Sequence, residues 1–461
     1  MFLIEEEEKM QLLKEDFINY AKKYYDEALE TLKQLLKFPT VLDEYKPNSD
    51  APFGIANKEC LEFILDKACK DGFNVKNCDN YAGHISYGSG DELFGILGHL
   101  DVVPAVGEWS HDPFDPIIQD NKLFARGTLD DKGGVVASYY ALKMFKDLGI
   151  MPKKEVRIIV GCDEETGSRC MSHYFETEKM PDMAFSPDAE FPLIYGEKGI
   201  LSFDINGSIE NKDIIEIDCG MRYNIVPDLA KLTVKNPNQA YLDDFIKKTG
   251  FQAKLEGNTY YFYGHAAHAM QPQDGVNAAY HMFMFMNDYY QCQVADYIVN
   301  YFDTNGMKQN IYINDIDMKE LTINLGIVKY DGKELRLGYN LRVPTDSHVE
   351  VIKNGFNQAL NNYSLLTLGE FHYSPRHFVS LESELVQGLL ASYQEISGDY
   401  ETKPFTIGGG TYARIMPNAV AFGPNFPHRP DICHQPDEHI YLEDFTSWIA
   451  IFASAIYKLC M

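Results

Sequence analysis

No run of apolar residues in this chain is long enough to span a bilayer, and no segment is of low complexity or repeats at a short period. Basic residues are scarce: 41 Lys and Arg stand against 68 Asp and Glu, a formal charge of −27. Such a surface repels phosphate backbones and anionic head groups, so neither nucleic acid nor a membrane is expected as a partner. The nine cysteines show neither close pairing nor a zinc-ribbon spacing, and so read as reduced, mostly buried thiols. The N-terminal MFLIEEEEKM lacks the basic start and longer apolar stretch of a secretory signal. A cytoplasmic location is the expectation.

What is present points to more than one core. The 461 residues exceed what a single ordinary core organises, and 45% are hydrophobic. Phe17, Tyr20, Ala21, Tyr24, Ala28, Leu32, Leu35 and Leu36 fall at helical spacing, which stops at Pro39. From there to about Lys198, strand-like runs (FGILGHL, EVRIIVGC) alternate with helical stretches (GGVVASYYALKMFKDLG), the rhythm of an α/β sheet with much parallel pairing. After Glu197 the texture changes. LSFDINGS, LAKLTVKN, NTYYFYGH and LRLGYNLRV alternate, and helical stretches separate them, as in an α+β domain. LVQGLLASYQEIS and AVAFGPNF then look like the first domain resuming. The expected division is 1–197, 198–379 and 380–461, with the middle block inserted into an α/β domain.

Five short polar clusters recur along this framework: GHLDVV, ARGTLDDKG, CDEETG, SPDAEFP and CHQPDE. Pooled, they offer His99, Asp130, Glu165, Asp188 and His434, a ligand set for two divalent metals, and leave Glu164 over as a base. Singly, each has an ordinary explanation. Asp130 and Asp131 precede a helix and could cap it. Asp163, Glu164 and Glu165 could form a solvated loop, and Asp188 a turn. Cys433 offers a soft ligand in place of His434, though carboxylates and imidazole suit hard or borderline cations. Asp101, two residues beyond His99 in an extended segment, shares its face and could accept the proton of the far ring nitrogen. Like charges crowded at the end of an apolar strand repel one another unless cations neutralise them. One carboxylate of a neighbouring pair can then ligate while the other takes a proton from water.

The ordered set resembles the co-catalytic metallopeptidase superfamily that includes carboxypeptidase G, aminoacylase, succinyl-diaminopimelate desuccinylase and carnosinase, above all its bacterial dipeptidase V branch. The resemblance implies a zinc-peptidase-like catalytic domain, with a central mixed, largely parallel sheet flanked by helices, and an inserted α+β lid. It implies that His99 and Asp188 hold one metal, Glu165 and His434 the other, and that Asp130 bridges them with a cis peptide bond after it. Asp101 would orient His99, and Glu164 would be the general base and later the proton donor. GHAAHAMQPQDGVNA matches the lid pattern and makes His268 the residue that closes over the substrate carbonyl; without that match it would read as a structural or surface histidine, like His265. Arg342 aligns with the arginine that binds the substrate carboxylate, a task its bidentate fork suits. Asn224 and the GGGTYAR segment, with Gly409, Gly410, Thr411 and Arg414, match substrate-contacting stretches. A glycine-rich turn is the ordinary reading of that segment.

The implied function is hydrolysis of unblocked dipeptides by water activated at two divalent ions, zinc first, with manganese or cobalt able to serve. A deacylase of N-acyl amino acids or a desuccinylase would use the same scaffold, and a metal-free binding protein would keep the fold alone. The long lid implies a functional monomer. Cys162 and Cys433 lie beside the metal motifs, where oxidation could impair activity.

Overall fold

The computed structural model describes residues 12–461; the MFLIEEEEKM segment lies outside them. The chain divides into two compact units, one of residues 12–195, 378–405 and 411–461, the other of 196–377 with 406–410. Residues 406–410 therefore leave the 380–461 block expected from the sequence. The reason is local: Lys198 N–H donates to the Ile407 carbonyl, and Arg342 Nη1 donates to the Gly408 carbonyl.

In the first unit six strands follow the order Asn74–Cys78, Ala82–Tyr87, Glu155–Gly161, Leu93–His99, Met183–Ser186 and Ala419–Ala421. The first three pair antiparallel, and the rest pair parallel to their neighbours. Leu93–His99 is buried along its whole length, which is why FGILGH shows no alternation. His99 stands opposite Gly161 in the register. The loops carrying Asp101 and Asp163–Glu165 therefore leave adjacent strands at the same level, at the carboxyl ends where open α/β sheets place their ligands.

Helix Lys14–Leu36 buries Phe17, Ala21, Tyr24, Ala28, Leu32, Leu35 and Leu36, the face read from spacing, and stops short of Pro39. It packs with helices Lys132–Leu148 and Leu442–Cys460, and Lys132–Leu148 lies on Leu93–His99 and Glu155–Gly161. The Gly133–Gly134 pair opens that last-named helix. A Cβ on Gly133 would stand 2.1 Å from the Thr128 carbonyl oxygen, and one on Gly134 would stand 2.3 Å from that of Pro187. The pair lets the first helical turn approach the loops that carry Asp130 and Asp188.

The second unit is an antiparallel sheet with helices over one face. Its strands run Ala253–Glu256, Thr259–Tyr263, Leu229–Val234, Ile214–Cys219, Thr322–Tyr330, Leu335–Val343 and Gly199–Gly207. Burial alternates along Leu229–Val234 and Gly199–Gly207, the period-2 signature of a sheet with one covered face. Leu201, Phe203, Leu325, Tyr339 and Leu341 share a core with Met282, Phe283 and Phe285 of helix Ala278–Tyr289 and Phe356 of helix Val349–Leu360. Asn340 and Arg342 alternate with that core set, opposite Ser202 and Ile200 respectively. No helix among the described residues is long and apolar enough to cross a membrane.

Candidate functional site

The first unit brings all five expected ligands together. His99, Asp130 and Asp188 each offer an atom within 4.8 Å of the others, and so do Asp130, Glu165 and His434. Asp130 belongs to both groups and faces them with different oxygens: Oδ1 is 2.9 Å from His99 Nε2, and Oδ2 is 2.8 Å from His434 Nε2. Asp188 Oδ2 is 3.5 Å from His99 Nε2, and Glu165 Oε1 is 3.2 Å from His434 Nε2. The Asp130–Asp131 peptide bond is cis. His99 and Asp130 are buried, whereas the His434 side chain is 53% exposed, so this side of the cluster meets solvent.

Each ligand loop is pinned from behind. His99 Nδ1 lies 2.9 Å from the Asp101 main-chain carbonyl and 3.5 Å from its carboxylate. The same carboxylate accepts the Glu164 N–H at Oδ1 and the Glu165 N–H at Oδ2, both at 3.0 Å. Asp101 thus meets the imidazole with both its main-chain carbonyl and its carboxylate, and holds the acidic loop through its side chain. Asp131 does not face the second histidine; its Oδ2 accepts the His99 N–H at 3.1 Å.

Several residues with no assigned role in the sequence reading complete the support. Asp163 takes both ends of the Arg169 guanidinium at 2.7 Å, and the Arg169 N–H at 2.9 Å. Glu438 gathers the N–H groups of Gly127, Leu129 and Asp130 and pairs with Arg126. The Tyr412 ring stands edge-on to His99, with centroids 6.1 Å apart. Arg126, Asp163 and Glu438 all sit inside the recurrent clusters, which was their only signal in the sequence; Arg126 and Glu438 lie 312 positions apart, too far to be paired from it, whereas Asp163 meets Arg169 only 6 positions on.

The electrostatics show what the cluster lacks. Burial, then Asp130, pushes the Asp188 carboxyl up to about 7. Burial also raises Glu164 well above the ordinary carboxylate range, with Asp188, Glu165 and Asp101 adding to it, and raises Glu165 with help from Asp130. Burial opposes charge on the two imidazoles, yet Asp188 and Asp101 carry His99 well up, and Asp130 and Glu165 carry His434 to about 11. The cluster is an excess of buried negative charge. His99 Nε2 and Glu165 Oε1 are moreover buried and, although 2.9 Å from Asp130 Oδ1 and 3.2 Å from His434 Nε2, make no hydrogen bond of good geometry among the described residues. Orphaned donor atoms, two groups sharing one carboxylate, and an all-imidazole and carboxylate set fit divalent cations. Burial also raises the Cys162 and Cys433 thiols well above their usual value, which disfavours the reactive thiolate; all nine cysteines are free.

The remaining expected residues fall mostly in the second unit. His268 Nδ1 accepts the Met270 N–H at 3.2 Å, a bond that leaves the ring proton on Nε2. Asn224 accepts the Ala269 N–H through its carbonyl at 2.9 Å. Arg342 is 4% exposed, with Nε on Asn340 Oδ1 at 3.0 Å and Nη1 on the Gly408 carbonyl at 2.7 Å. A Cβ on Gly408 would meet Met270 Cβ at 2.6 Å, so the glycine run lies against the His268–Met270 segment. GGGTYAR is split between the units: Gly409 and Gly410 go with the second, Thr411 and Arg414 with the first. There the Thr411 hydroxyl accepts the Ala413 N–H at the start of a short turn, Tyr412–Ile415, that carries Arg414.

A family profile described as Peptidase family M20/M25/M40 matches residues 95–458. A Bacillus subtilis protein provisionally designated the dipeptidase YtjP is 37% identical over 458 residues, covering 94% of this chain and 97% of its own length. A Staphylococcus haemolyticus protein, also provisionally designated a dipeptidase, is 36% identical over 465 residues, covering 96% and 98%. The structure of human carnosine dipeptidase 1 superposes with a TM-score of 0.59 over 97% of this chain and 99% of that one, at 17% identity. That last likeness is one of fold.

Proposed function

The chain belongs to peptidase family M20/M25/M40 and is a peptide-bond hydrolase, and on that premise we propose that it is a metal-dependent dipeptidase acting on unblocked dipeptides. The observation that carries the reading is the pair of ligand groups sharing Asp130. His99 and Asp188 would hold one divalent cation, Glu165 and His434 a second, and Asp130 both; zinc is the first choice, with manganese or cobalt able to serve. Two such cations supply Lewis acidity to the scissile carbonyl and acidify water.

Glu164 is assigned as the base that takes the proton of the attacking water and later hands it to the departing amine. Its support is positional and electrostatic. The Glu164 backbone is fixed by Asp101, and its raised pKa is the direction a base needs to hold a proton near neutral pH. His268, with its proton at Nε2, is assigned as donor to the oxyanion, and Arg342 as the receiver of the substrate carboxylate. Asn224, Gly409, Gly410, Thr411 and Arg414 are assigned to substrate contact. These roles follow the family resemblance, as do a catalytic role for the first unit, a lid role for the second and action as a monomer; a cytoplasmic location is carried by the reading of the cysteines as reduced thiols.

The test is a panel of free dipeptides and their N-acetylated counterparts, assayed on metal-stripped protein with one metal restored at a time. Free dipeptides should be cleaved and blocked ones spared, with no turnover before metal is added. A preference for blocked compounds would transfer the assignment to a deacylase, and turnover that survives chelation would sink it.

A further inference from the structure

We propose that Glu438, paired with Arg126, is a positioning residue that holds Asp130 and His434 at a fixed spacing, so that the cation shared by Asp130, Glu165 and His434 depends on it. The proposal rests on the metal-site reading above but not on the choice of substrate.

Glu438 is fully buried and Arg126 is 1% exposed, with Oε2 and Nη1 2.6 Å apart. The carboxylate is surrounded by main-chain donors of one loop. Oε1 accepts from Leu129 N–H at 2.9 Å, Gly127 N–H at 3.1 Å and Asp130 N–H at 3.3 Å, with the Thr128 hydroxyl at 3.4 Å. Oε2 accepts from Gly127 N–H at 3.1 Å besides Arg126. Gly127 adopts φ +88°, a conformation that turns the chain around the carboxylate and that side chains rarely allow. The Ala125 N–H meets the Glu438 carbonyl at 3.1 Å, so main chain and side chain of one residue both grip the Asp130 loop.

The same residue is anchored to the other ligand. His434 lies four positions earlier, and both His434 (φ 64°) and Asp437 (φ 57°) are left-handed, which non-glycine residues adopt where their surroundings impose it. Asp437 Oδ1 accepts the N–H and hydroxyl of Ser110 at 2.9 and 3.0 Å. Immediately after Glu438, strand His439–Tyr441 pairs with Lys122–Phe124, just ahead of the Asp130 loop. Glu438 therefore joins two ligand segments more than 300 positions apart in sequence.

Stability alone does not account for the pair. Arg126 Nε and Nη2 are buried without hydrogen bonds among the described residues, the guanidinium lying 5.1 Å from the Trp109 ring centroid. An apolar pair would fill the space with less desolvation. What an apolar pair lacks is an acceptor for three converging N–H groups, and that acceptor sets where Asp130 stands.

The test titrates metal-stripped wild type, Glu438→Gln and Arg126→Lys with zinc against a chromophoric chelator, with stoichiometry read by native mass spectrometry. Wild type should take two cations; failure to do so removes the metal-site reading itself. Glu438→Gln places an amide N–H among donors, and should weaken the cation held by Asp130, Glu165 and His434 by about 10- to 100-fold, and the cation that shares only Asp130 with that group by less. At saturating metal its KM should stay near wild type. Arg126→Lys keeps the charge without the fork and should fall between the two. It also carries the test if Glu438→Gln does not fold, as judged by circular dichroism. Two cations bound at wild-type affinity in the folded variants, or equal weakening of both, would overturn the proposal.

Discussion

Glu164→Gln removes a proton acceptor but keeps the Glu164 N–H on Asp101, so the acidic loop should hold its shape. The expected outcome is a fall in kcat of about 10²- to 10⁴-fold with two cations still bound, measured by steady-state kinetics beside metal analysis. Loss of metal in step with loss of activity would make Glu164 a ligand instead. The proposal itself comes from residue types: a carboxylate beside a ligating carboxylate is a natural base. The nearer partner atom of His99 was not legible at the same grain, because two atoms of Asp101 lie by Nδ1 and only the folded loop sets which comes closer. A second prediction concerns buried histidines away from the cluster. Burial and Arg157 lower His84 from 6.5 to about 4, and burial lowers His281 likewise. Both fold as neutral rings, so stability is full above pH 6.5 and is lost as pH falls towards 4, by at most about 3 kcal/mol for each. Urea midpoints across that range should show the fall, and His84→Gln, which keeps an acceptor for the Tyr174 hydroxyl, should flatten it.

Helix Lys132–Leu148 shows how an element serves the cluster. Its apolar residues fix it on the sheet, but its glycine pair fixes how close its first turn comes to the ligand loops. Gly134→Ala should push the Pro187 carbonyl, and with it Asp188, out of place. An overpacking cost of about 1–3 kcal/mol is expected, with weaker zinc binding alongside, read by thermal unfolding and chelator competition. Unchanged affinity would show that the Asp188 loop yields freely. The strands were legible for a physical reason that differs between units. Leu93–His99 is covered on both faces and reads as an unbroken apolar run, whereas Gly199–Gly207 has one covered face and alternates. Their order in each sheet was not legible, since backbone pairing leaves no mark on residue type.

For the whole molecule the main lever is metal. Without it, Asp188 sits near 7, Glu164 and Glu165 are raised, and His434 lies near 11. Each of these values stands above that of the unfolded chain, so the stability they lend in acid is lost as pH rises through them. Metal-stripped protein should therefore unfold at a lower temperature at pH 8 than at pH 6.5. Added zinc should raise the midpoint at both, and more at pH 8. Calorimetry with and without chelator checks this; a stripped protein no less stable at pH 8 would contradict it. Action as a monomer has its own test. Mixing His268→Ala with Glu164→Gln protein should restore no activity if each chain works with its own His268; recovery would show residues supplied between chains.

The sequence alone determined the chemistry available to this protein: which side chains can ligate, which can move a proton, and which segments alternate or run apolar. Those properties belong to residue types and short spacings, and short spacings survive folding. The tertiary structure decided which atoms of those residues do the work. It turned the Asp101 carboxylate to the acidic loop, moved residues 406–410 into the second unit, and set Glu438 behind Asp130. Each depends on segments separated in the sequence, by 63 positions for Asp101 and Glu164 and by 308 for Glu438 and Asp130, converging on one buried group. Convergence of that kind is settled by packing and by the need to satisfy buried polar atoms, neither of which local sequence records.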